Sequence, residues 1–313
     1  MRFDSFGHLQ YRRLPQIAAM LVIGALGALA QGDAAKEVIK NKAGVRLLVD
    51  TDNTQPTLRI VLPGRPLVDR TILVVFPEHV SVRKSGSTDA SAVEHIYMWQ
   101  EGHQGVPPIW RQDGQSIEYE KTFDDGIRMV AKATLEEDGV LFEYQFRNLS
   151  NTDFNFVWAP TDPRLTSIFH DVRLERTYVH HKDAWGLLAE NTPSRLSMPL
   201  HEWLPVRYLA SFTAAIPDKL VRSDEGITYY DSPVRVDEPV VATLSEDRAW
   251  VVASFSHETD KVWSNPELTC QHVDETKTLK PGGETLLEVK MLILRGSLDQ
   301  VLKKVIAERS RLE

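Results

Sequence analysis

The stretch Gln115 to Arg147, QSIEYEKTFDDGIRMVAKATLEEDGVLFEYQFR, decides the fold. Its apolar residues recur at every second position: Ile117, Tyr119 and Phe123, then Ile127, Met129, Ala131, Ala133 and Leu135, then Val140, Phe142, Tyr144 and Phe146. A period of two buries one face of a strand, whereas a helix would repeat every 3.6 residues. Asp125-Gly126 and Asp138-Gly139 stand between the runs, and such dipeptides are the strongest short-range signal for a hairpin. The segment therefore reads as three antiparallel strands with a common buried face.

Upstream, Gly44 to Val49, Thr57 to Leu62, Thr71 to Phe76 and Val80 to Arg83 read as further short strands. Downstream, strand patterns recur at Ile227 to Tyr230, Val240 to Leu244, Trp250 to Phe255 and Leu286 to Leu294. Between Asn148 and Tyr208 clean alternation gives way to Pro, His, Arg and Trp, which reads as an irregular insertion. The chain closes on a helix over 297–311: Ser297 and Gln300 are spaced as a capping box, and Leu298, Val301, Leu302, Val305 and Ile306 form one stripe. The expected architecture is all-β, a large antiparallel β-sandwich with a C-terminal α-helix, in one domain over 44–313.

The first 30 residues read as a secretory signal. Arg2, Arg12 and Arg13 precede an apolar run from Ile17 to Leu29 that ends in Ala28-Leu29-Ala30. That run is shorter than the roughly 20 residues a membrane span needs, so the expected mature chain has no transmembrane segment and is periplasmic or secreted, with a polar leader over 31–43. The net charge of -8 becomes more acidic once three arginines and Asp4 leave with the signal. An acidic chain without a basic run is a poor fit to nucleic acid. The single cysteine, Cys270, excludes an internal disulfide.

Chemistry concentrates between Val262 and Glu284. On a strand, Cys270, His272 and Asp274 share one face, with Gln271 and Val273 on the other. The segments Trp263-Ser264-Asn265-Pro266, Cys270-Gln271-His272 and Leu279-Lys280-Pro281-Gly282-Gly283-Glu284 resemble the C-terminal end of hexose-phosphate mutarotase-like proteins, of the galactose-mutarotase-like superfamily. The resemblance implies a large β-sandwich (supersandwich) that handles sugars. It departs from the family twice: His272 stands where the family has a glutamate general base, and one glycine is inserted in the turn.

These residues give the expected site. His272, with Asp274 or His170, would move protons on a sugar, since an imidazole titrates near working pH. Arg173, Arg176, His180, His181, Trp185, Trp203 and Arg207 of the irregular middle, with Trp263 and Asn265, would supply planar donors and rings to grip a carbohydrate or other small ligand. His95, Trp99, His103 and Trp110, interrupted by glycines and prolines, read as a loop at the rim or as satellite packing. A metal is not expected, because Cys270, His272 and Asp274 need a further ligand from elsewhere and no His-x-x-x-His or Cys-x-x-Cys pattern supplies it. No organic cofactor is expected either, for want of a phosphate-cradling glycine loop. Two functions fit: acid/base chemistry on a sugar, as in an epimerase, or carbohydrate binding in the cell envelope without turnover.

Overall fold

The computed structural model describes residues 35–312 except 65–69, 90–91, 99–105, 191–205, 211–220, 225–226 and 265–269. The signal and the start of the leader therefore lie outside the described residues. In chain order the first strands are β1 (Ala35–Lys40), β2 (Arg46–Asp50), β3 (Thr57–Val61), β4 (Thr71–Val75), β5 (His79–Lys84) and β6 (Glu94–Tyr97). The meander follows as β7 (Arg111–Asp113), β8 (Ser116–Thr122), β9 (Ile127–Leu135) and β10 (Gly139–Asn148). Then come β11 (Phe154–Trp158), β12 (Asp162–Arg164), β13 (Thr177–His181), β14 (Ala184–Leu187), β15 (Val206–Ala210), β16 (Val221–Asp224) and β17 (Ile227–Val236). The last are β18 (Val240–Leu244), β19 (Trp250–Phe255), β20 (Lys261–Ser264), β21 (His272–Asp274), β22 (Lys277–Leu279) and β23 (Glu284–Arg295), before helix α1 (Leu298–Glu308).

A nine-stranded sheet, in the order β14-β13-β18-β19-β23-β10-β9-β8-β7, is the backbone of the molecule. The meander pairs in the register its turns dictate, with Phe142 opposite Ala133 and Tyr119 opposite Ala131. Gly139 permits the close approach of β10 to β23, because a Cβ there would lie 1.9 Å from the Met291 carbonyl oxygen. One face of this sheet packs Ile117, Met129, Phe142 and Met291 against Leu47, Leu58, Ile60 and Val74 of the β1-β2-β3-β4-β12 sheet, and against Val80, Val82 and Val157 of the β22-β11-β5-β6 sheet. The result is a sandwich whose core is shared between sheets. A further sheet, β16-β17-β15-β20-β21, contains the parallel pair β15 and β17; the other pairings among the described strands are antiparallel.

The second face of the large sheet is covered by α1. Val301 and Val305 are fully buried there against Val240, Ala242, Val251, Ala253 and Phe255. Burial of each is worth roughly 1.5–3 kcal/mol. The capping box forms, with Gln300 Oε1 accepting from the Ser297 amide at 2.9 Å. The expected stripe is narrower than its sequence spacing, since Ile306 is 58% exposed and Leu302 only half-buried.

Three readings are corrected. The polar leader contains β1, paired with β2. Among its described residues the middle of the chain carries β11 to β15, short strands whose alternation is broken by a bulge in β11 and by proline and histidine. His95 lies on β6 and not in a loop; Trp110 packs as a satellite of the core, the second of the two expectations for it, at 5.0 Å from Tyr119 ring to ring and stacked toward Phe76.

Candidate functional site

Cys270 forms an isolated antiparallel bridge with Arg164, and the Gln271 amide donates to the Pro163 carbonyl at 3.2 Å. Continuing that register sets Asp162 opposite His272. Gln271 points the other way, into the sandwich, where its amide bonds Thr243 Oγ1 at 3.0 Å, the Val252 carbonyl at 3.1 Å and Ser254 Oγ at 3.0 Å. This buried clamp fixes the pitch of the strand, so Cys270 and His272 face away from the large sheet, with the parity that the sequence predicts. Asp162 is held from its own side: Tyr144 of β10 bonds the hydroxyl of neighbouring Thr161 at 2.6 Å.

His272 and Asp162 are only 2% and 1% exposed. Nε2 of the imidazole lies 3.2 Å from Asp162 Oδ1, a close charge contact whose angle falls short of a hydrogen bond and leaves Oδ1 otherwise unpaired. Asp162 Oδ2 accepts from Arg164 Nε at 2.7 Å, and Arg164 reaches Glu78 at 3.5 Å. Burial opposes ionisation of Asp162, but Arg164 and His272 outweigh it and hold the carboxyl below the usual carboxylate range. Burial likewise opposes protonation of His272, yet the Cys270 sulfur and the Asp162 carboxylate push its pKa well above 6.5. The pair is therefore a buried imidazolium and carboxylate, and the ring is clamped by Trp263, stacked at 3.9 Å and 5°. Trp263 is the register partner of His272 across β20 and β21, and Arg207 is the register partner of Trp263 on β15.

Next along the chain from Glu78, which Arg164 reaches, stands His79 on β5. His79 is 8% exposed, and neither ring nitrogen has a hydrogen-bond partner among the described residues. Burial, reinforced by His95 and His272 and opposed by Asp162, lowers its pKa to about 3. It is packed among rings: Trp158 at 5.1 Å edge-on, His95 at 5.1 Å and Tyr97 at 5.3 Å. Ser81 Oγ lies 2.6 Å from His95 Nδ1. Two imidazoles are thus held in opposite protonation states in one neighbourhood, a pattern that assigns proton acceptors and donors.

The site residues expected from sequence divide into groups. His272 and Trp263 are in direct contact. Asp274 is on β21 opposite Lys261, with its side chain outside the described atoms, and the same holds for the side chain of Arg207. Trp203 and Asn265 lie outside the described residues. His170 is exposed at the end of a 3-10 turn, Ser167–Phe169, and its carbonyl accepts from Arg176. Arg173 is exposed in the turn before β13. The Arg176 guanidinium is spent on the carbonyls of Ile168, Leu244 and His170, and it staples this turn to β18.

His180 and Trp185 belong to another face. They meet edge-to-face at 5.5 Å, and Trp185 packs with Tyr178 on the cluster that α1 covers. Gln271 meets Thr243 and Ser254, which alternate with Ala242 and Ala253 of that cluster, so the large sheet stands between His180 and His272. His181 alternates to the inner face, with Nε2 3.2 Å from Glu190. Asp162, His79, Tyr97, Trp158 and Arg164 were not anticipated from sequence. The alternation of His79, Ser81 and Arg83 against Val80 and Val82 was the available signal.

Asp162, Cys270 and His272 bring one donor atom each within 4.8 Å of one another, so Asp162 is the ligand from elsewhere that a metal would require. By ligand type the set suits zinc. Arg164 already holds the carboxylate, however, and His272 Nε2 is engaged with it, so a cation would have to displace an existing ion pair.

No known family profile matches the sequence, and no curated protein does. The fold does match solved structures of galactose-mutarotase-like and aldose-epimerase-like proteins. An aldose epimerase homologue from C. elegans superposes with a TM-score of 0.50 at 8% identity, covering 84% of this chain and 100% of its own. A galactose mutarotase related enzyme from Lactobacillus acidophilus gives 0.47 at 11%, covering 83% and 97%. A galactose mutarotase-like protein from Lactobacillus casei gives 0.46 at 9%, covering 83% and 100%. At these identities the likeness establishes the large antiparallel sandwich and not the reaction.

Proposed function

We propose that the chain is an exported carbohydrate-active protein that exchanges protons on a sugar, in the manner of an epimerase. The observation that carries this reading is the pairing of an imidazole kept neutral, His79, with one kept protonated, His272, beside half-buried Trp158 and Tyr97. Ring opening at an anomeric carbon needs a proton removed from the C1 hydroxyl and another delivered to the ring oxygen as the C–O bond breaks. The unpaired nitrogens of His79 are the acceptor, His272 is the donor, and Asp162 holds the imidazolium in place. Aromatic faces stack on the apolar face of a sugar while polar groups fix its hydroxyls. The likeness of fold supports a sugar as the substrate class.

A second reading is carbohydrate binding without turnover, favoured by the deep burial of His272 and Asp162. The two are separated by following anomeric exchange of freshly dissolved glucose and galactose by NMR with the purified mature chain. Catalysed exchange that disappears in Asp162→Asn and His272→Ala supports the enzyme. Binding without acceleration leaves the binder, and neither would refute the sugar reading.

A further inference from the structure

Resting on that reading, we infer that the ligand is an oligosaccharide rather than a free monosaccharide, and that its rings run along β5 away from His79. The sheet β22-β11-β5-β6 has two unlike faces. Val80 and Val82 of β5, Ile96 of β6 and Val157 of β11 point into the core. The other face carries three successive rows fixed by register: His79 opposite Tyr97, then Ser81 between His95 and Trp158, then Arg83 opposite Phe156. Strand alternation obliges these seven side chains to share a side. Tyr97, His95, Trp158, Phe156 and Arg83 are all half-buried, so the rings keep open area that core packing has not consumed.

The rows begin beside the candidate site. Arg164, which holds Asp162 at 2.7 Å, reaches Glu78 next to His79 at 3.5 Å, while Arg83 lies four residues further along the strand. At the rise of an extended strand this is roughly 13 Å, more than one pyranose ring can cover. The far end is also built to hold something. The Arg83 guanidinium lies over the Phe156 ring at 5.3 Å, and its Nε donates to Asn155 Oδ1 at 3.0 Å, with Asn155 anchored to the Ser87 carbonyl at 2.8 Å. Nη1 is directed at the Thr88 carbonyl at 3.4 Å, and an aromatic ring with a positioned cation over it suits a second or third sugar, packed through its C–H face against the exposed part of the ring and bonded through its hydroxyls to the guanidinium.

Calorimetric titration of the mature full-length chain with glucose, galactose, mannose and N-acetylglucosamine, each against its own β-linked di- and trisaccharide, tests this. Affinity should tighten with each added ring by roughly two- to tenfold. Phe156→Ala should remove the gain of the trisaccharide while leaving monosaccharide affinity as it is, and Arg83→Gln should do the same by a separate route should the first variant prove unstable. Equal affinity for one, two and three rings, or a Phe156→Ala loss that is uniform across lengths, would overturn the extended site and leave the sugar reading standing. Failure of every sugar to bind would overturn both.

Discussion

His79 should impose a pH dependence on stability that its removal erases. Burial among rings displaces its pKa from 6.5 to about 3, so between those values the unfolded chain binds a proton that the folded chain refuses. Stability contributed at this position is therefore whole above pH 6.5 and falls as the pH drops toward 3. At about 1.4 kcal/mol per unit the full effect is about 5 kcal/mol, of which about 2 kcal/mol is lost between pH 7.5 and pH 5. The wild-type curve alone will not display it. Glu275, raised by burial to about 7, takes up a proton in the folded state first and opposes the trend over the same range. His272, raised above 6.5, is protonated in both states below that pH and adds no slope there. The clean observable is a double difference: urea unfolding of wild type and His79→Phe, each at pH 7.5 and pH 5. Phenylalanine keeps a ring against Trp158 and Tyr97 but cannot titrate. Wild type should lose about 2 kcal/mol more than the variant on acidification. Equal losses in the two proteins would show that His79 is hydrated, and would remove the neutral acceptor from the proposed site.

Other outcomes follow from the same geometry. Asp162→Asn leaves the His272 imidazolium buried without its counter-charge and should cost about 3–5 kcal/mol near neutral pH; it should also flatten the decline in stability that wild type shows as the pH rises through the elevated pKa of His272, and an unchanged unfolding curve would break the ion-pair assignment. His272→Ala should abolish sugar exchange or binding, whereas Cys270→Ala should leave ligand affinity nearly intact; the reverse order would make this a thiol or metal centre. Val301→Asp should unfold the domain at lower urea far more than Leu302→Asp, because Val301 is fully buried and Leu302 is not; comparable effects would mean α1 docks by another face. Mass analysis of exported material should show a mature N-terminus near Gln31, and an intact Met1 on exported protein would remove the signal-peptide reading.

The large sheet is legible from two patterns. The run 127–135 coincides with β9 because it alternates strictly between buried and half-buried positions, whereas 240–244 and 250–255 coincide with β18 and β19 as short continuous apolar runs, buried on one face in the inner core and on the other beneath α1. Strands β11 to β14 escaped for a physical reason. They are three to five residues long, and Phe156 and Trp158 on β11, His180 on β13 and Trp185 on β14 stand where solvated polar residues would mark an outward face, so the contrast between faces that reveals a strand is weak. The helix stripe is narrower than its spacing suggests because spacing shows which residues align and not how many of them meet the sheet: Val301 and Val305 are buried, whereas Ile306 is exposed.

At the site, sequence parity could show that Cys270 and His272 share a face, since that is a property of one strand. It could not supply the partner of His272. Asp274 offered the same chemistry two residues away, whereas Asp162 arrives through a single bridge between distant segments, Arg164 with Cys270. That bridge sets more than proximity. Had it formed one residue out of register, Asp162 would face the other side of its strand and Pro163 would meet His272. Three separate buried contacts hold the alignment: Gln271 on the large sheet, Tyr144 on Thr161, and Arg164 on Asp162. Each engages a polar group that would be costly to bury unpaired, so the alternatives are destabilised as much as the observed register is favoured. The proton chemistry proposed for His272 therefore depends on residues that never approach a ligand, and Gln271→Leu, which keeps the volume but removes the clamp, should misalign the pair. Its signature would be a normal far-ultraviolet circular dichroism spectrum together with loss of sugar exchange or binding. Undiminished activity in that variant would show that Asp162 and His272 align without the clamp.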